Sequence, residues 1–253
     1  MKNNMNEMND EMEITLNESY TFPVISKESF MRLADIAAST IKTLEPKFQS
    51  MKDYNTSELD QYLDYENARE RLIAVPVNMD DFDKTKFVCK EVAPGIGYTA
   101  KILISDNKTD SVTALVTNEM AKDYGVSLEE LMSAALTNTM VMFPAVKENV
   151  TEKMGFRGYA INAGSYANGA IATFYPGVLK TVAEQLETEK IIVFLSNKLE
   201  AICIPVAGVD DSLVLGIMST LLNSVKKYAP HTFFSNRIYS YDSSVDRLKL
   251  MVF

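Results

Sequence analysis

Short apolar runs come in groups of two or three along most of this chain, and a single amphipathic stretch separates each group from the next. KFVCKEV, YTAKILIS and SVTALVT are divided by PGIG at 94–97 and by SDNKTD at 105–110. KIIVFL and EAICIPV are divided by SNKL, and RIYSYD and RLKLMV by SSVD. Runs of this length, rich in β-branched and aromatic residues and bounded by turn residues, predict strands joined as hairpins. A parallel doubly wound sheet needs a helix after each strand, so hairpins alternating with single helices predict an antiparallel α+β fold.

The helices between the groups carry their own stop and start signals. Ser127 and Glu130 have the capping-box spacing, Val126 and Leu131 that of a hydrophobic staple, and Pro144 ends the stretch. Asp210 or Asp211 caps a second helix with Leu213, Ile217, Leu221 and Val225 on one stripe, Lys226 and Lys227 at its C-terminal dipole and Pro230 beyond. Asn168-Gly169 predicts a hairpin turn into the strand AIATFY. Pro176 then predicts the first turn of a helix whose Val178, Leu179, Val182 and Leu186 face a core.

The front of the chain reads differently. Residues 1–13 are Met, Asn, Glu and Asp without helical periodicity and predict a disordered acidic tail. Ser26 precedes a 3.6-residue stripe of Phe30, Leu33, Ile36, Ala37, Ile41 and Leu44, which predicts a helix over 27–44 ending at Pro46. A charged helical pattern with Leu59, Leu63 and Tyr65 follows over 54–73 and stops at Pro76. With no repeat and no Gly/Ser-rich linker, residues 14–253 read as one α+β domain, helical to about 75 and mixed from 76 to 253.

Composition narrows the chemistry. A net charge of −9 disfavours nucleic acid, because phosphate neutralisation needs clustered Lys and Arg. The apolar runs are far shorter than the roughly 20 residues of a membrane span, and the start lacks the basic and apolar regions of a signal peptide, so a soluble, cytoplasmic protein is expected. Cys89 and Cys203 have no metal or redox spacing, and His231 is the one histidine, which leaves little material for zinc sites or imidazole relays. Asp80, Asp81 and Asp83 lack the glycine and closing glutamate of an EF-hand, so a solvated loop is expected there, with no metal and no cofactor. The Gly-x-Gly at 95–97 leads into a strand, so it reads as a turn and not as a dinucleotide fingerprint.

ENARERLIAVP at 66–76, TNEMAKDYGVSLEEL with the following NT and Pro144, GAIATFYPGVLK at 169–180, EAICIP at 200–205 and FSNRIYSYD at 234–242 resemble an uncharacterised bacterial family, domain of unknown function 5688. The resemblance spans about residues 60–250 and implies an α+β fold without an assigned substrate or catalytic residue. Family members often read Pro-Ser-Ser-x-His-Glu where this chain has Leu195, Ser196, Asn197, Lys198, Leu199 and Glu200. Leu199 therefore stands at the histidine position, and a serine without a nearby base is a poor nucleophile at neutral pH.

The expected function is that of a non-catalytic binding or regulatory protein with an unknown protein partner or small ligand. The candidate binding residues are Ser196, Asn197 and Glu200 on the inter-strand turn, Tyr175 and Gly177 at the Pro176 helix start, where exposed N–H groups suit an anion, and the C-terminal Tyr239 and Tyr241. No catalytic residue is assigned. The alternative is a hydrolase-like enzyme with its site at the 195–200 turn, Ser196 acting beside Glu200 with Tyr175 or Asp242 near in space.

Overall fold

The computed structural model describes residues 62–107, 110–164 and 166–253. The acidic tail and the 27–44 helix expected from the sequence lie outside the described residues. The fold combines helices with antiparallel sheets, as the alternation of hairpins and helices implies.

The first sheet joins strands β1 (Leu72–Asn78), β2 (Cys89–Ala93), β3 (Ile96–Asn107) and β4 (Asp110–Leu115). The long β3 is central, with β1 along one side and β2 and β4 sharing the other. Here the structure corrects the sequence. Within 62–73 the α-helix is confined to Tyr65–Arg69 (α1), and the chain becomes strand at Leu72 and runs through Pro76. Proline is tolerated because β1 has a free edge. Arg71 and Leu103 bond across the pair, so by alternation Leu72, Ala74 and Pro76 point their backbone groups outward, where Pro76 has no ladder bond to lose.

That edge is covered by a helix. α3 (Leu128–Met142) follows α2 (Asn118–Asp123) and starts as its capping signal implies, the Ser127 hydroxyl accepting from Glu130 N–H at 3.1 Å. It lies along β1. The Thr139 hydroxyl accepts from Ala74 N–H at 2.6 Å and donates to Ala135 O, the Asn138 amide donates to Leu72 O and Arg69 O, and the Tyr166 hydroxyl donates to Ala74 O at 3.1 Å. Side chains thus satisfy backbone groups that a sheet edge leaves open, and they block pairing with another strand.

The second sheet has the order β10-β9-β7-β8-β6-β5 and every pairing in it is antiparallel. Its strands are β5 (Val146–Asn149), β6 (Tyr159–Asn162), β7 (Lys190–Phe194), β8 (Ala201–Pro205), β9 (Ile238–Asp242) and β10 (Arg247–Leu250). The short helix α4 (Thr151–Met154) links β5 to β6. β7 and β8 are buried on both faces, which explains their unbroken apolar letters.

Alternation divides those letters between two cores. Ile191, Val193, Ala201, Cys203, Tyr239 and Tyr241 face the larger core, shared with Leu72, Ile102 and Leu131 of the first half. Ile192, Phe194, Ile202 and Ile204 face helix α6 (Asp211–Tyr228), which presents Val214, Ile217, Met218 and Leu221. At roughly 1.5–3 kcal/mol for each buried aliphatic side chain, this stripe binds α6 far more strongly than helix propensity does. Asp210 is its N-cap, accepting from Leu213 N–H at 2.8 Å.

Two expectations around residue 170 fail. Asn168-Gly169 does not turn a hairpin: Gly169–Phe174 is a 3-10 helix in which Ala170, Ile171, Ala172 and Thr173 are all buried. Gly169 serves a close approach, since a Cβ there would lie 2.2 Å from Leu199 O. Pro176 is not the first helical residue either. α5 (Val178–Gln185) is preceded by Gly177 at φ 78°, a left-handed residue that reverses the chain between proline and helix. Among the described residues no helix is long and apolar enough to cross a membrane.

Candidate functional site

The β7–β8 hairpin carries a candidate site at each end. At the 195–200 end, the Asn197 side-chain oxygen accepts from Leu199 N–H at 2.8 Å and Glu200 N–H at 3.1 Å, the local bond that makes asparagine a turn former. Lys198 N–H donates to Thr232 O, Phe234 N–H to Ser196 O, Ser235 N–H to Leu195 O, and Ala170 N–H to Lys198 O. The turn is therefore wedged between the 3-10 helix and the 230–235 segment. Ser196, Asn197 and Glu200 are 2%, 2% and 3% exposed, so this end is closed.

Leu199, at the position the resemblance assigns to histidine, packs against Ala229 and Tyr228. His231 is exposed on the 3-10 turn Pro230–Thr232. Nearby amines carry a cost of burial. Desolvation lowers the pKa of Lys101 and Lys198, and the charge of Lys198 lowers that of Lys101 further.

The other expected residues are used elsewhere. Tyr175 is buried and donates to Phe143 O at 3.1 Å, and burial raises its pKa. Tyr239 and Tyr241 point into the larger core on alternate positions of β9, Tyr239 donating to Pro94 O at 3.0 Å and Tyr241 to the Asp246 carboxylate at 2.5 Å. The structure thus groups Ser196, Asn197 and Glu200, and gives the three tyrosine hydroxyls partners in other segments.

Two of the three acidic residues at 80–83 have structural partners. Asp83 accepts from Thr85 N–H and the Thr85 hydroxyl, which lowers its pKa, and Asp80 pairs with Arg237 at 2.9 Å. Among the described residues no group of three His, Cys, Asp or Glu side chains is placed to hold a metal. Burial pushes the Cys203 thiol up, so it stays protonated within the core.

The opposite end of the hairpin is open, and sequence reading did not single it out. A groove of about 230 Å³ lies where α5 enters β7 and β8 leaves toward α6. Phe156, Leu186, Ile204, Pro205, Val209 and Leu213 make its apolar walls. Arg157 and Glu187 stand at the lining with their charged groups 3.4 Å apart and their side chains 51% and 81% exposed.

Glu187 holds an unusual conformation. Thr188 N–H donates to Ala183 O and Glu187 N–H to Glu184 O, the bond pair that closes a helix through a left-handed residue. Glycine ordinarily fills that place, yet here Glu187 takes φ 54°. A side chain held there costs about 1–2 kcal/mol. The only sequence signal was an absence: Leu186-Glu187-Thr188 ends a helix without glycine or asparagine.

The family model for a family of unknown function, DUF5688, matches residues 2–243. The chain belongs to that family. No curated protein and no solved structure matches it. Membership in the DUF5688 family thus agrees with the resemblance read from the scattered segments, and the chemistry of this member has to be argued from its own residues.

Proposed function

We propose that this DUF5688 member is a cytoplasmic, non-catalytic binding or regulatory protein whose small ligand sits in the groove beside Arg157 and Glu187. The observation that carries this reading is the contrast within one hairpin. The serine-bearing turn is buried, with its backbone groups bonded inside the fold, whereas the other end offers apolar walls and two exposed charges. Concave apolar sites with few polar groups are where small molecules bind.

The test is purification of the full chain under native conditions from its own host, followed by mass spectrometry of what it retains. A small molecule retained by the wild type and lost when Ala207, at the groove, is replaced by Trp supports the reading. Turnover of an ester, phosphoester or peptide that disappears in Ser196→Ala with an unchanged melting temperature overturns it and favours the hydrolase-like alternative.

A further inference from the structure

Resting on the reading of the groove as a ligand seat, we propose that its ligand is a free apolar α-amino acid of leucine to phenylalanine size. Size comes first. About 230 Å³ is below the roughly 300–1,000 Å³ of sites that hold drug-sized ligands, and it suits a single apolar side chain with its head group at the mouth. The walls formed by Phe156, Leu186, Ile204, Pro205, Val209 and Leu213 supply no charge to such a body.

The head group follows from the two charges. Arg157 and Glu187 are exposed and 3.4 Å apart, so their mutual attraction is screened by solvent, weak and easily exchanged. A ligand bearing only a carboxylate pairs with Arg157 and is repelled by Glu187. A ligand bearing only an ammonium pairs with Glu187 and is repelled by Arg157. An α-amino acid carries both charges on one carbon and satisfies both residues, its carboxylate on the guanidinium and its ammonium on the carboxylate.

The left-handed Glu187 fits this role. The backbone there would be relaxed by glycine, and left-handed residues other than glycine cluster at functional sites. Thr188 adds no competing head-group contact, because its hydroxyl donates to Lys190 O at 3.1 Å.

The experiment is an NMR and calorimetric titration of the full chain with L-phenylalanine, L-leucine, L-alanine, 3-phenylpropionate and phenethylamine. The expected result is that L-phenylalanine or L-leucine shifts the amide signals of residues 186–188 and 207–209 and binds at least tenfold tighter than L-alanine and than either singly charged analogue. Arg157→Gln and Glu187→Gln each weaken that binding at least tenfold without lowering the melting temperature. Equal binding of 3-phenylpropionate or phenethylamine overturns the amino-acid assignment while leaving the groove as a ligand seat. Absence of amide shifts with either apolar amino acid overturns it as well, and the retained-ligand experiment then judges the binding reading separately.

Discussion

The two ends of the β7–β8 hairpin are built from the same strands and solve opposite problems. At the 195–200 end, backbone groups find partners in the 3-10 helix, the 230–235 segment and the Asn197 side chain, and the surface closes over them. At the 186–209 end, a groove opens over Pro205, Val209 and Leu213 with the buried Leu186 and Ile204 at its base, and a glutamate occupies a position that favours glycine. Polar residues in a sequence therefore do not mark a site by themselves. The polar turn is consumed by folding, and the open concavity is mostly apolar.

Four substitutions break or sharpen this contrast. The largest effect is expected for Phe194→Ala, since this ring is 1% exposed on the strand that joins the two ends. Its loss should cost about 3–5 kcal/mol in chemical denaturation and loosen both ends together. A cost below about 1 kcal/mol would mean that the hairpin does not couple them. Asn197→Ala comes next. It leaves two buried N–H groups without their acceptor and should cost about 2–4 kcal/mol, leaving the groove's titration unchanged once folded.

Asp210→Ala, beside the groove at the start of α6, should cost about 1 kcal/mol as a lost cap. The pH dependence gives a second handle. Bonds from Leu213 N–H and then the Ser212 hydroxyl hold the Asp210 carboxyl below its ordinary 3.8. The folded pKa is the lower one, so the cap's contribution is full above 3.8 and fades as pH falls through the folded value. Melting curves of the wild type and Asp210→Ala should converge in that acid range. The smallest effect is a gain. Glu187→Gly relieves the left-handed strain at some entropic cost, and a rise of about 0.5 kcal/mol is expected alongside weaker ligand binding. Lower stability in this variant would remove strain from the account of the groove.

Much of the architecture was legible in the letters because its causes are local. Ser127 and Asp210 bond to N–H groups three residues on, and both helix starts stand where the capping signals put them. The turn letters of PGIG, SNKL and SSVD mark real connections between strands. Failures cluster where distant partners decide. Pro76 has the letters of a helix stop, but a free edge lets the strand run through it, and helix α3 covers that edge from 65 residues away through Thr139. Asn168-Gly169 has the letters of a hairpin turn, but the carbonyl of Leu199 sits where a side chain on Gly169 would stand.

By itself, the sequence determined the antiparallel α+β class, the helix caps and the membership in a family, because caps, turns and alternating burial depend on neighbours a few residues apart. Only the tertiary structure decided which polar groups are used up and which surface stays open. The Tyr239 hydroxyl reaches Pro94 across 145 residues of chain, and the groove collects Phe156, Leu186, Ile204 and Leu213 from four separate segments. Such contacts follow from how the sheets and helices pack, and burial that depends on packing leaves no short-range pattern in the letters.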